Sequence, residues 1–123
     1  MPPSTSLTPF LLQRDRLLLP GTPPLTLHRI CFDAAAFTPA CFAAHDMALP
    51  ASLQRAAPKR LGEFLAGRLA AREALRPFGL AGNGVAIGSA REPLWPLGME
   101  GSISHSQLAG QGVALCGVRP AQG

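Results

Sequence analysis

The 123-residue sequence has no tyrosine, a single tryptophan (Trp95), one lysine (Lys59) and only 6% aromatic residues. Proteins that bind single-stranded nucleic acid stack bases on aromatics interleaved with cations. That supply is missing, so nucleic acid is not an expected partner. Cysteines are few as well. Cys31, Cys41 and Cys116 are far apart, with no CxxC pair and no Cys/His cluster. This excludes a disulfide framework and a zinc site of ordinary spacing. No apolar run reaches the length needed to span a bilayer, and Met1 is not followed by a basic segment and an apolar run. A membrane partner is not expected, and a cytoplasmic setting is the default expectation. Charged residues make up only 15% of the chain against 47% hydrophobic ones, a ratio that supports one small domain with a core.

What charge there is leans one way. Ten of the eleven cationic residues are arginine, against seven carboxylates. Arginine suits two-pronged contacts to phosphate. An excess of Ala, Arg, Gly and Pro equally follows from the base composition of a gene.

Residues 1–24 contain six prolines around the apolar piece Leu11–Leu19, and read as an extended arm. Leu25–Asp33 alternates as a strand does, with Thr26, His28, Ile30 and Phe32 on one side. Residues 34–57, broken by Pro39 and Pro50, predict short helical turns and loop. Pro58–Arg76 predicts a helix, opened by Pro58 and stopped by Pro77 and Gly79. At about 100° per residue, Leu61, Phe64, Leu65, Leu69 and Leu75 share one arc, and Arg68 and Arg72 fall inside it. A guanidinium on a buried side is costly unless an anion meets it. The competing reading is that Arg68 reaches past the core to water. Arg60 lies two turns earlier at the edge of the arc, so Arg60 and Arg68 can reach one polyanion. Gly67 costs helix propensity and predicts a packing or ligand reason. Val85–Gly88, Gly101–His105 and Gly112–Val118 predict strands.

The densest stretch is Arg91–His105, REPLWPLGMEGSISH. Pro93 and Pro96 exclude a helix. Ser102, Ser104 and His105 offer two hydroxyls and an imidazole, which can donate to phosphate. The plainer alternative is a Pro-Gly loop entering a strand, with His105 a core or surface histidine.

The strings KRLGEFLAGRLAAREAL (59–75) and SAREPLWPLGMEGSISH (89–105) resemble the N-terminal half of the two-lobed 4′-phosphopantetheinyl transferases, in particular the enterobactin synthase component D type. The resemblance covers about residues 45–118, with its blocks in the same order and spacing. It implies an α+β lobe, one long helix packed on a small antiparallel sheet. Residues 1–24 would then be a Pro-rich arm and 25–123 the N-terminal lobe. It implies transfer of 4′-phosphopantetheine from coenzyme A to a serine of an apo carrier protein, acyl or peptidyl. Siderophore (enterobactin), nonribosomal peptide or polyketide synthesis would be served. By position, Arg60 and Arg68 would be helix contacts to the coenzyme A phosphates. Ser104 and His105 would meet them from the strand, and the loop carrying Ser89 and Arg91 would line the nucleotide.

Two departures from the family pattern stand out. Ala90 occupies a position where relatives often carry lysine. The family's Mg²⁺ ligands, a Gly-Ile-Asp-x-Glu motif and a later Glu, have no counterpart, because none of the seven carboxylates forms an Asp-x-Glu pair. The expectation is therefore a phosphate-holding half without a catalytic lobe, with no catalytic or metal residue of its own and inactive alone. The alternatives are a non-catalytic coenzyme A-binding lobe and a truncated inactive fragment.

Overall fold

The computed structural model describes residues 6–80, 85–88 and 92–121. Four strands form one antiparallel sheet: β1 (Leu11–Leu19), β2 (Leu25–Asp33), β5 (Met99–Leu108) and β6 (Gln111–Pro120), in the spatial order β1-β2-β6-β5. Two two-residue strands, β3 (Ala86–Ile87) and β4 (Pro93–Leu94), pair separately. One short helix, α1 (Ala40–Ala44), and one long helix, α2 (Pro58–Leu75), complete the lobe. This is an α+β fold with a long helix on a small antiparallel sheet, as the family resemblance implies. The apolar piece of the Pro-rich N-terminal segment is β1, which pairs with β2 from Leu11↔Phe32 to Leu19↔Leu25.

Pro58 opens α2 where a missing N–H costs nothing. Pro77 follows its end and cannot extend the hydrogen-bond ladder. Leu61, Leu65, Ala66, Leu69 and Ala70 are buried against the sheet. From the sheet side, Ile30 and Phe32 of β2 and Ala114, Cys116 and Val118 of β6 meet them, alternate residues on one face as strand geometry requires. Phe10 joins this core at 5.4 Å from Phe32 and 5.7 Å from Phe37, ring centre to ring centre. Each such pair adds about 0.5–1.5 kcal/mol beyond area burial.

β5 and β6 join through Ala109 and Gly110, both at positive φ, the two-residue turn that matches strand twist. This hairpin fixes the register Ile103↔Cys116, Ser104↔Leu115 and His105↔Ala114. Because Cys116 and Ala114 are buried under α2, Ile103 and His105 share the helix side of the sheet.

The loop between β2 and α2 is held from below. Buried Arg72 donates from Nη1 to the His45 carbonyl at 2.5 Å. The Thr8 hydroxyl accepts the Leu11 N–H at 3.0 Å and lies 3.0 Å from His45 Nε2. Burial depresses the His45 pKa, and the nearby Arg72 charge lowers it further. Arg72 is thus a structural arginine, tying α1 and the start of β1 to the long helix.

Candidate functional site

α2 and β5 flank a cleft of about 180 Å³. Arg60, Glu63, Phe64, Gly67 and Arg68 line it from the helix, Ile103 and His105 from β5, and Pro93 from β4. The helix contributes positions three and four apart, which stack along one strip. The strand contributes alternate residues, which point the same way. The cleft is narrow at its floor because Gly67 has no side chain. A Cβ there would sit 2.9 Å from Ile103 Cγ2, closer than carbon atoms pack. The sequence flagged Gly67 for a packing or ligand reason, and close approach of helix to strand is that reason.

Arg68 is the unusual group. Its residue is only 7% exposed, and its Nε and Nη2 are buried without a hydrogen-bond partner among the described residues. Its guanidinium carbon lies over the Phe64 ring, which offers a negative π face but no acceptor atom. Desolvation pulls the Arg68 pKa below the ordinary arginine range. Cys116 is the nearby group that opposes this shift, but burial pushes the Cys116 thiol up to about 12. A neutral thiol supplies no counter-charge at neutral pH. Arg68 is therefore a buried arginine whose Nε and Nη2 meet no acceptor among the described residues, on the side of the helix where its periodicity puts it.

His105 stands on the opposite wall, its side chain 45% exposed, with Nδ1 3.5 Å from Glu63 Oε2. Arg60 is exposed and lines the same cleft. Of the sequence-derived site residues, the structure brings Arg60, Arg68 and His105 together. Ser104 is not with them. It pairs with Leu115 and is exposed on the opposite face of the sheet, because a strand alternates its side chains. Ser89 and Arg91 lie outside the described residues. Sequence reasoning missed Glu63, Phe64, Pro93 and Ile103 as cleft residues. For the helix pair the signal was present: at about 100° per residue, Glu63 and Phe64 flank Arg60 and Gly67 on one strip. For Pro93 and Ile103 it was not, since only the tertiary fold sets a separate hairpin and a sheet edge beside α2.

Among the described residues, no group of three or more His, Cys, Asp or Glu side chains is placed to hold a metal ion. Among the described residues that line the cleft, the only carboxylate is Glu63, flanked by Arg60 and Arg68. Magnesium takes an octahedral shell of oxygens, so this cleft by itself does not suit it.

A profile of the 4′-phosphopantetheinyl transferase N-terminal domain matches residues 49–115. The chain belongs to this family. Enterobactin synthase component D of Escherichia coli K12 is 48% identical over 83 residues, which cover 65% of this chain and 37% of that protein. The protein of the same name from Salmonella typhi is 46% identical over 82 residues, covering 64% and 32%. The 4′-phosphopantetheinyl transferase Svp of Streptomyces mobaraensis is 44% identical over 57 residues, covering 46% and 23%. The chain thus spans about a third of the length of the enterobactin synthase relatives it matches. In this 4′-phosphopantetheinyl transferase N-terminal domain, every residue lining the α2–β5 cleft falls inside the matched stretch.

No helix among the described residues is long and apolar enough to cross a membrane.

Proposed function

We propose that this chain is the coenzyme A phosphate-holding half of a 4′-phosphopantetheinyl transferase. In the complete reaction, 4′-phosphopantetheine passes from coenzyme A to a serine hydroxyl of an apo acyl or peptidyl carrier protein, and adenosine 3′,5′-bisphosphate leaves. The relatives' names point to carrier proteins of siderophore synthesis, enterobactin above all, with nonribosomal peptide and polyketide synthesis as neighbouring pathways. A cytoplasmic setting belongs to the same reading. Arg68 and Arg60 contact the coenzyme A phosphates from α2, and His105 contacts them from β5. The loop with Ser89 and Arg91 lines the nucleotide.

One observation carries this reading: the buried Arg68 guanidinium with two nitrogens unsatisfied among the described residues. Phosphate supplies what it lacks, since hydrogen bonds between arginine and phosphate are charge-assisted, two-pronged and roughly twice as strong as neutral ones. Ser104 faces the other side of the sheet, and its contribution to the phosphate site is correspondingly small.

Among the described residues of the cleft Glu63 is the single carboxylate, fewer than the Mg²⁺ used by the family would need, and a second reading rests on that. The lobe then binds coenzyme A without turning it over, or is an inactive fragment. Titration of the purified chain with coenzyme A, with and without Mg²⁺, followed by an assay of transfer to an apo carrier protein, separates these. Mg²⁺-independent binding without transfer fits a phosphate-holding lobe. Transfer by the chain alone overturns the inactive reading. A folded chain that does not bind overturns both coenzyme A-binding readings and leaves the inactive fragment.

A further inference from the structure

Glu63 is a carboxylate in a cleft of cations, where an anion-collecting role alone gives it no use. A negative charge a few ångströms from a bound phosphate repels it. Its side chain is only 19% exposed, and its Oε2 lies 3.5 Å from His105 Nδ1. The two residues come from different walls, Glu63 from α2 and His105 from β5. Their meeting is a product of the helix-to-sheet packing that Gly67 and Ile103 set.

We infer that Glu63 is a positioning residue: it accepts the Nδ1–H of His105, fixes the ring plane, and leaves Nε2–H as the donor to phosphate. This rests on the phosphate reading above. A charged imidazole has two donors, and which partner holds one nitrogen decides what the other can do. With Glu63 at Nδ1 and a phosphate at Nε2, the ring bridges two anions and its positive charge is used on both sides. A neutral or freely rotating ring could present a bare lone pair to phosphate instead. Partners that orient a histidine in this way at metal sites are worth about 10–100-fold in affinity.

The test sets this role against simple electrostatics, because the two give opposite signs. Coenzyme A affinity is measured by calorimetry for the parent chain, Glu63→Gln, Glu63→Ala, His105→Ala and the Glu63→Ala/His105→Ala pair. Positioning predicts about tenfold weaker binding for Glu63→Ala and a smaller loss for Glu63→Gln, which keeps an acceptor. It also predicts that the loss disappears in the His105→Ala background. Imidazole ¹⁵N shifts of His105 in the parent complex report protons on both nitrogens, and Glu63→Ala changes that pattern. Binding as tight as or tighter than the parent in Glu63→Ala overturns the inference and leaves the phosphate reading standing. An equal loss with and without His105 overturns it likewise. A parent chain that does not bind coenzyme A removes the phosphate reading, and the positioning role with it.

Discussion

The guanidinium carbon of Arg68 lies 4.5 Å from the centre of the Phe64 ring, one turn earlier on the same helix. A cation over an aromatic face gains about 0.5–2 kcal/mol, but it satisfies no N–H. The proposed phosphate contact would satisfy the Nε and Nη2 that find no acceptor among the described residues. Arg68→Met keeps length and apolar volume and removes the charge. Coenzyme A affinity is expected to fall about 10–100-fold, the worth of a charged hydrogen bond or two. Stability is expected to hold or rise by about 1–3 kcal/mol, because a buried charge with no counter-ion among the described residues is removed. Calorimetry and urea unfolding read the two effects separately.

Ser104 and His105 are neighbours in sequence and face opposite sides of the sheet. His105→Ala is expected to weaken coenzyme A binding about tenfold, and Ser104→Ala less than twofold. Equal losses in the two variants would place the ligand across the sheet edge instead of in the α2–β5 cleft.

These two cases also mark what the sequence could and could not say. The long helix was legible, because Pro58, Pro77 and the apolar arc around Leu61, Leu65 and Leu69 are local signals. So was the anomaly of Arg68, since periodicity alone sets it on the buried side. Strands β2 and β6 were legible from alternation and apolar runs. The separation of Ser104 from His105 follows from strand alternation once Met99–Leu108 is a strand. The motif invites the opposite grouping, because adjacent polar residues look like one site. The Glu63–His105 contact was out of reach, since it depends on how a helix 40 residues upstream sits on β5. Cys116 beside Arg68 was also invisible, because it joins the last strand to the middle of α2.

Gly67→Ala tests how closely the helix must approach β5. Alanine gains about 1 kcal/mol of helix propensity. The new methyl lies 2.9 Å from Ile103 Cγ2, a branch carbon that cannot swing aside freely. Overpacking of this kind costs about 1–3 kcal/mol, so net destabilisation of about 1 kcal/mol is expected in chemical denaturation. The Gly67→Ala/Ile103→Val double variant keeps Cγ2 and loses only Cδ1, so it is expected to recover little of the loss.

Stability depends on pH through His45. Burial depresses its folded pKa below the ordinary histidine value, so the unfolded chain binds the proton more tightly. The stability from neutral His45 is complete above the unfolded pKa near 6.5. It is lost as pH falls through that value toward the lower folded pKa. Half-buried His28, also depressed by desolvation, acts in the same direction. The unfolding free energy is expected to drop between about pH 7 and 5, with a slope of at most about 1.4 kcal/mol per pH unit for each histidine. His45→Gln is expected to be less stable at pH 7 and to show a shallower slope. An unchanged slope would contradict the role of His45.

The most direct measurement is calorimetric titration of coenzyme A into the folded parent chain and into Arg68→Met, both without Mg²⁺. The phosphate-holding role predicts one site on the parent chain, competed by adenosine 3′,5′-bisphosphate, and at least tenfold weaker binding to the variant. Equal affinities for the two chains, or no binding to a folded parent, would contradict it.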